Sequence, residues 1–118
     1  MTAFTRTVGE VAAESGVAPS AVRFYEQHGV IVAIRTAGDQ RRFDESAACR
    51  IRVAKVAQRV GLTVREIAEI FAALPAGPQP SDWAQVAKTL VTEAESRTAA
   101  LRAHLAAIGS GARLCDLA

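Results

Sequence analysis

Hydrogen-bonding and cationic side chains are concentrated in two short stretches of the N-terminal half, and their types suit contact with DNA. The first stretch, residues 20–25, places a serine, an arginine and a tyrosine on one expected helix. The second, residues 35–42, places three arginines and a glutamine around a glycine turn. A helix that enters the major groove needs donors for base edges and anchors for the flanking phosphates. The candidate DNA contacts are Ser20, Arg23, Tyr25, Arg35, Gln40, Arg41 and Arg42.

Three consecutive residues of the first stretch, Arg23, Phe24 and Tyr25, have different expected roles. The Arg23 guanidinium suits a base edge or a phosphate, and the Tyr25 hydroxyl suits a phosphate oxygen. The Tyr25 ring could instead pack in the core with its hydroxyl exposed. Phe24 has no polar side-chain atom and is expected in the core.

The first half of the chain carries an excess of basic over acidic residues, and the second half does not. The formal net charge is only +2, but residues 1–60 carry nine Lys and Arg against six acidic residues. Residues 61–118 carry five against six. A basic segment of this kind is typical of a phosphate-binding surface, although a solvated, arginine-rich helix face would give the same pattern.

Several other function classes find no support in the sequence. No apolar run approaches the roughly 20 residues of a membrane span, and the stretch MTAFTRTVGE does not resemble a secretion signal, so a cytoplasmic location is expected. Cys49 and Cys115 are too few and too far apart for a disulfide framework. No catalytic constellation is evident, and His28 and His104 are too isolated to propose as metal ligands, so an enzyme is not expected.

The first sixty residues predict a winged helix-turn-helix. Thr7 and Glu10 have the spacing of a capping box, and Gly16 suits the left-handed residue that ends a short helix. Pro19 then begins a second helix, which ends at Gly29. The β-branched run at residues 30–34 and the residues that follow predict a hairpin with its tip at residues 37–39, in the place of a wing.

Two further helices and a long one complete the predicted fold, which is mainly α-helical. Asp44 is expected to cap a helix that extends to about Val60, and Thr63 a shorter one. The long helix could run from residue 81 to about residue 108. The predicted divisions are a DNA-binding domain at 1–75, a linker at 76–80, a dimerisation helix at 81–109 and a tail at 110–118.

The long helix carries an apolar stripe that predicts pairing with a second copy of the chain. So small a domain offers no obvious partner for this stripe, and an antiparallel coiled coil in a homodimer would cover it. A helix folded back on its own domain is the alternative. The predicted dimerisation residues are Val86, Leu90, Ala94, Leu101, Leu105 and Ile108.

The ordered motifs resemble those of the MerR family of transcriptional regulators, and particularly its redox-sensing, SoxR-like branch. The resemblance covers roughly residues 7–110. It rests on VGEVA at 8–12, SGV at 15–17, VRFYE at 22–26, GVI at 29–31, GDQRRF at 38–43, AKVAQRVGL at 54–62, ALP at 73–75 and SDW at 81–83. Two wing positions depart from the family pattern, since Asp39 stands where Asn is usual and Phe43 where Tyr is usual.

The resemblance implies a homodimer that binds a palindrome within a promoter whose spacer is too long for RNA polymerase. Family members bend and untwist such DNA so that its two promoter elements realign, which is recognition through DNA deformation. The DNA contacts implied by the family fall on Arg23 and Tyr25 of the second helix. In the wing they fall on Arg35, Gln40, Arg41 and Arg42.

The SoxR-like branch also implies an iron–sulfur cluster, and here this sequence departs from it. The expected ligand positions are held by Ala107, Ser110 and Ala112, and Cys115 lies near the fourth at a shorter offset. Because such a cluster needs four thiolates, we expect none, and cluster-based redox sensing is expected to be lost. The replaced cysteines fit a natural protein that senses something else or a variant with altered ligands.

The effector of such a regulator is left open. Trp83 could line an effector pocket or pack at a junction, and Cys115 could be a one-thiol sensor, pair with the same residue of a second copy, or be an ordinary tail cysteine. A non-responsive DNA-binding protein is one rival function. The other is an excisionase-like architectural or recombination accessory protein, against which the long helix argues.

Overall fold

The structure, a computed structural model, describes residues 3–109 and is mainly α-helical with a small three-stranded sheet. This confirms the predicted fold class. None of its helices is both long enough and apolar enough to span a membrane. The elements in chain order are β1 (Phe4–Arg6), α1 (Val8–Ser15), α2 (Pro19–Gln27), β2 (Ala33–Arg35), β3 (Arg41–Asp44), α3 (Ala47–Arg59), α4 (Val64–Phe71) and α5 (Pro80–Gly109).

Helices α1 and α2 form the predicted helix-turn-helix. The Thr7 hydroxyl accepts from the Glu10 backbone N–H at 3.1 Å, and the Thr7 N–H donates to the Glu10 carboxylate at 2.9 Å, which completes the capping box. These bonds, the Thr7 backbone N–H above all, hold the pKa of Glu10 below its ordinary value. Gly16 ends α1 with a φ of 73°, and Pro19 stands in the first turn of α2.

The wing, defined here as residues 33–44, is an antiparallel hairpin of β2 and β3. Its turn lies at the predicted place, and Asp39 there adopts a φ of 59°, which Asp tolerates better than most residues. The sheet order is β1-β3-β2, so a strand that the sequence analysis missed pairs with the other edge of β3. Val30 and Ile31 are not in a strand, contrary to the prediction, but are buried in the core.

Helix α3 begins later than predicted. Asp44 ends β3, and its carboxylate accepts from the N–H of Ser46 at 2.8 Å and from the Ser46 hydroxyl at 2.6 Å. The Asp44 carboxylate is bonded within this local turn and does not cap the helix. Ser46 is the N-cap residue instead. Helix α4 starts with a complete Thr63–Glu66 capping box, in agreement with the predicted Thr63 cap.

One hydrophobic core joins both halves of the helix-turn-helix to the sheet, to α3 and to α4. Its largest fully buried side chains are Phe43, Ile31, Ile51, Ile67, Val11, Val22 and Val30. Phe43 comes from β3, the central strand of the sheet, and Ile51 and Ile67 come from α3 and α4. The core therefore holds α2 and the wing in a fixed relative position.

The long helix α5 packs against this core with its first turns, which the sequence analysis gave only as the alternative to pairing with a second copy. Val86 is 6% exposed, Leu90 is partly buried, and the Trp83 ring meets Phe71 edge to face with centroids 5.9 Å apart. Trp83, Val86 and Leu90 lie on one face of the helix. Its first half covers the chain's own domain, so Val86, assigned to a dimer contact from the sequence, is a core residue.

A polar contact secures α5 about two turns beyond the apolar ones. The Arg97 guanidinium donates to the Gly61 carbonyl at 2.5 Å and to the Glu66 carboxylate. Glu66 is also the capping-box residue of α4, so a single carboxylate caps α4 and joins it to α5. Beyond Arg97 the leucines of α5 are exposed, with Leu101 at 57% and Leu105 at 51%.

Candidate nucleic-acid interface

Helix α2 presents one face to solvent, and we call Ser20, Arg23, Phe24 and Gln27 on it the recognition face. All four residues are exposed, whereas Val22 and Tyr25 point into the core. Spacings of three and four residues place the four side chains together on a helix surface. Two of the predicted DNA contacts, Ser20 and Arg23, are among them. Within residues 3–109, Arg23 makes no hydrogen bond or ion pair, so its donors are available.

Phe24 lies on the recognition face and not in the core, which corrects the expectation from its type. Its side chain is 41% exposed. The ring packs edge to face on Tyr25, with centroids 5.5 Å apart, and stacks on His28 at 4.3 Å. The helix turns Val22 and Tyr25 inward, and Phe24 is too far round the helix to follow them.

The ring of Tyr25 is buried and its hydroxyl is bonded within the chain. The residue is 6% exposed, and the hydroxyl donates to the Gln58 side-chain oxygen of α3 at 2.7 Å. Burial raises the pKa of Tyr25, so the hydroxyl stays protonated. The geometry favours the core-packing alternative for Tyr25, and its contact with a phosphate stays a prediction.

A Tyr25→Phe variant separates these two roles. It removes the bond to Gln58 and leaves the ring, so the free energy of unfolding should fall by about 0.5–1.5 kcal/mol. Affinity for DNA should change less than twofold if the hydroxyl acts only inside the chain. Chemical denaturation and DNA titration measure the two effects. A large loss of affinity without loss of stability would instead mark Tyr25 as a phosphate contact.

The wing arginines are partly engaged in contacts of their own. Arg35 donates to the Asp39 carbonyl at 3.1 Å, and Arg42 donates to the Gln40 side-chain oxygen at 3.0 Å. Arg41 is different, because its Nε lies 2.5 Å from the Glu26 carboxylate of α2. Arg41 thus ties the wing to the helix that carries the recognition face. Arg35, which lies directly opposite Arg41 in the hairpin, and Gln40 are exposed.

The remaining basic residues of the first half divide between internal bonds and open surface. Arg50 donates to the Pro75 carbonyl at 2.8 Å, and burial lowers its pKa from the ordinary arginine value. Arg52 donates to the Glu14 carbonyl. Lys55 and Arg59 have no ion pair among residues 3–109. The basic surplus read from the sequence therefore overstates the number of cations that are free for phosphates.

Comparison with known proteins identifies the fold and the lineage. The MerR HTH family regulatory protein pattern matches residues 6–74, and the pattern described as MerR, DNA binding matches residues 49–110. The chain belongs to the MerR family. It is 37% identical over 113 residues to the HTH-type transcriptional activator SoxR homolog of Chromobacterium violaceum, which covers 91% of this chain and 76% of that protein.

Other similar proteins align over different shares of their length. The mercuric resistance operon regulatory protein of Pseudomonas fluorescens is 36% identical over 55% of this chain and 46% of its own. Among solved structures, a protein assigned to the MerR family from Listeria monocytogenes superposes with a TM-score of 0.58 at 21% identity, over 89% of this chain and 81% of that one. HiNmlR, a MerR family regulator lacking the sensor domain and bound to promoter DNA, gives 0.54 at 18% identity, over 93% and 86%.

These similarities make this MerR family member a DNA-binding transcriptional regulator. The residues that the sequence analysis missed at the interface are Glu26, Gln27 and Gln58, together with the exposed position of Phe24. Helical spacing from Arg23 could have placed Gln27 on the same face. The partners of Glu26 and Gln58 lie 15 and 33 residues away in sequence, and no local pattern could reveal them.

Trp83 lines both a cavity and an open groove of this MerR family regulator. One is a cavity of about 640 Å³ between β1, the start of α3 and the loop before α5, with Glu45, Cys49 and Gln79 also in its wall. The other is an open apolar groove of about 460 Å³ between α3 and α5, lined also by Val53, Val56 and Leu90. Trp83 therefore packs at the junction between α5 and the core, and its assignment to an effector pocket stays a prediction.

The residues that would hold an iron–sulfur cluster fall at and beyond the end of α5. Ala107 lies in the last turns of the helix, whereas Ser110, Ala112 and Cys115 lie outside the described residues. Methyl groups and a neutral hydroxyl do not replace thiolates as ligands of iron. The positions implied by the SoxR-like resemblance hold two alanines and a serine, with one cysteine near the fourth, so the absence of a two-iron, two-sulfur cluster stays an expectation.

Proposed function

We propose that this MerR family regulator acts as a homodimer on a palindromic promoter site, and that it bends and untwists the DNA to control access of RNA polymerase. The observation that carries the proposal is that the candidate DNA-binding surface and the candidate dimer surface are separate. The recognition face and wing lie on one rigid unit, and an exposed leucine stripe lies on a helix that leaves that unit. A palindrome requires two such units related by a two-fold axis.

The recognition unit supports the DNA-binding part of the proposal. Arg23 has its donors free on the exposed face of α2, and the Arg41–Glu26 ion pair holds the wing beside that helix. In the proposed complex α2 lies in the major groove. Arg35, Gln40 and Arg42 then contact the backbone of the adjacent groove, and Ser20 contacts a phosphate or a base edge.

The end of α5 supports the dimeric part of the proposal. The helix has 30 residues and a length of about 45 Å. Its apolar contacts with its own domain run from Trp83 to Leu90, and its polar contact with that domain is at Arg97. Ala94, Leu101, Leu105 and Ile108 continue the same face. Two such stripes packed antiparallel would cover each other and place the two recognition faces at opposite ends of the dimer. Leu90 would then lie at the boundary between the domain core and the dimer contact.

The signal that controls this regulator would not be cluster oxidation, because the ligands for a cluster are replaced. We propose that it works without an iron–sulfur cluster and without catalysing a reaction. An unidentified small molecule is the proposed effector, with Trp83 as the candidate pocket residue and Cys115 as the alternative sensor. Since Trp83 is the sole tryptophan, its fluorescence would report an occupied pocket directly.

Footprinting on the promoter region of the protein's own gene tests the proposed function. We expect protection of a palindrome, with enhanced cleavage at its centre where the DNA is deformed. An absorbance spectrum of the same fresh preparation should show no iron–sulfur bands. Failure to protect any palindrome would contradict the regulator, and a brown protein containing iron and sulfide would contradict the absence of a cluster.

Arg23→Ala tests the recognition face. We expect specific binding to weaken by about 1–3 kcal/mol, concentrated at one base pair of each half-site, if Arg23 reads a base edge. Equal weakening on all sequences would identify Arg23 as a phosphate anchor instead. Arg65→Ala is the matched control, since Arg65 is highly exposed on α4 and its pair with Glu69 is loose at 3.9 Å. Binding titrations on a set of single-substitution duplexes make the comparison.

A further inference from the structure

Phe24 is an apolar side chain at a place where a DNA-reading helix has polar neighbours. It lies between Arg23 and Gln27 on the recognition face and leaves 41% of its surface open. Single exposed apolar residues are common on proteins and usually need no explanation. Val32 and Ile34 are examples in and beside the wing. Phe24 differs from them because its position is fixed on the helix face that would meet the bases.

The ring of Phe24 is held in place. Tyr25 supports it edge to face, and the His28 ring lies against it at a tilt of 38° with centroids 4.3 Å apart. Tyr25 is in turn anchored to α3 through its hydroxyl bond to Gln58. The free part of the ring is therefore a pre-positioned apolar surface, and placing it against a partner costs little side-chain entropy.

The major groove presents one apolar group that distinguishes a base. Thymine carries a 5-methyl group, and the other three bases present hydrogen-bonding atoms there without one. We propose that Phe24 reads a thymine through contact with this methyl group, next to the base pair or phosphate that Arg23 contacts. The assignment rests on the proposed function, since it requires α2 to lie in the major groove.

The methyl group itself can be removed from the DNA, which makes the test direct. A duplex is first selected with this protein from a random pool, and each thymine of its half-sites is then replaced by deoxyuridine. At one thymine per half-site we expect the wild-type affinity to fall about fourfold for each methyl lost. Replacing that base pair by cytosine–guanine should weaken binding, and 5-methylcytosine at the same place should restore part of the loss.

The Phe24→Ala variant combines the change in the DNA with a change in the protein. It should bind the thymine and deoxyuridine duplexes equally, because the side chain that contacts the methyl is gone. Phe24→Leu should keep part of the discrimination. Val60→Ala, which truncates a 47%-exposed side chain on the turn after α3, should discriminate like the wild type. Thermal unfolding of each variant verifies that its fold is retained.

The outcomes distinguish this inference from the proposed function. If a palindrome is selected and bound tightly, but deoxyuridine affects the wild type and Phe24→Ala alike, the thymine contact is wrong and the regulator stands. A selected palindrome that lacks a thymine in each half-site would also contradict the thymine contact and leave the proposed function standing. If no sequence is bound in preference to the others, the proposed function fails and the Phe24 assignment fails with it.

Discussion

Glutamate at both Leu101 and Leu105 should leave the chain monomeric and lower its affinity for the palindromic duplex at least about a hundredfold. Each leucine is about half exposed in the single chain, and its proposed cover is the second copy. Burying a fully exposed leucine side chain contributes about 1.5–3 kcal/mol, and burying the exposed half of each of these leucines would contribute about half of that. A dimer gains this contribution four times from the two positions. Carboxylates at the same places would be buried without partners, which is strongly unfavourable.

The loss of DNA affinity follows from the loss of pairing. A dimer binds its second half-site at a high effective concentration once the first is occupied, and such linkage raises overall affinity by about 10²–10⁴. Sedimentation measures the mass of the free protein, and titration measures its affinity for DNA. The thermal unfolding of the domain should change little, because both side chains are exposed and lie beyond Arg97, which bonds with the domain.

The matched control places the same charges on the opposite face of α5. Ala99 and Ala103 are exposed and lie about half a turn from the leucine stripe. Ala99→Glu with Ala103→Glu should therefore remain dimeric and bind DNA like the wild type. If the leucine variant also stays dimeric, or if the alanine variant dissociates equally, this stripe is not the dimer contact.

Replacing Phe43 by alanine should lower the free energy of unfolding by about 3–5 kcal/mol, the usual cost of truncating a buried aromatic residue. Phe43 is completely buried in β3, opposite Ala33 of β2 and Arg6 of β1. The change removes apolar contacts and leaves a cavity beneath the wing. Because small domains are stable by only about 5–15 kcal/mol, the melting temperature should fall by more than about 10 °C.

The chain offers its own control for this substitution. Phe24→Ala makes the same chemical change at a position that is 41% exposed, and it should cost about 1 kcal/mol or less. Chemical denaturation of both variants gives the comparison. Equal losses at the two positions would contradict the placement of Phe43 in the core and of Phe24 on the surface.

The sequence predicted best those features that depend on neighbouring residues. Thr7 with Glu10 and Thr63 at the start of α4 were identified as helix starts because a capping residue and its target are separated by only three positions. The turn at Asp39 and the extent of α5 were found for the same reason. Local geometry there is decided by local chemistry.

The Asp44 cap failed because of a local turn with Ser46, but the other features that failed depend on contacts between distant parts of the chain. Strand β1 has only three residues and exists because β3, almost forty positions later, pairs with it. The apolar stripe of α5 is visible in the sequence, but periodicity does not say whether Val86 covers its own core or a second copy. Phe24 failed in the same way, because adjacent apolar residues on α2 compete for one inward direction and the surrounding core decides which of them is buried.

The interface was predicted by residue type more accurately than by role. Arg23 and Ser20 are exposed on α2 as expected, whereas Arg41 is tied to Glu26 and Tyr25 to Gln58. In the sequence, a cation or a hydroxyl suggests a phosphate contact equally well whether the group is exposed or bonded within the chain. Only the three-dimensional partner distinguishes a group that positions the recognition unit from one that remains free to meet DNA.

The mass of the protein–DNA complex tests most directly whether this MerR family regulator reads a palindrome as a homodimer. Native mass spectrometry would be performed on the wild-type protein with a selected palindromic duplex and with the same duplex carrying one scrambled half-site. We predict two chains on the intact duplex, cooperatively bound, and a large loss of affinity when one half-site is scrambled. A complex with one chain per duplex, or equal affinity for both duplexes, would contradict the proposal.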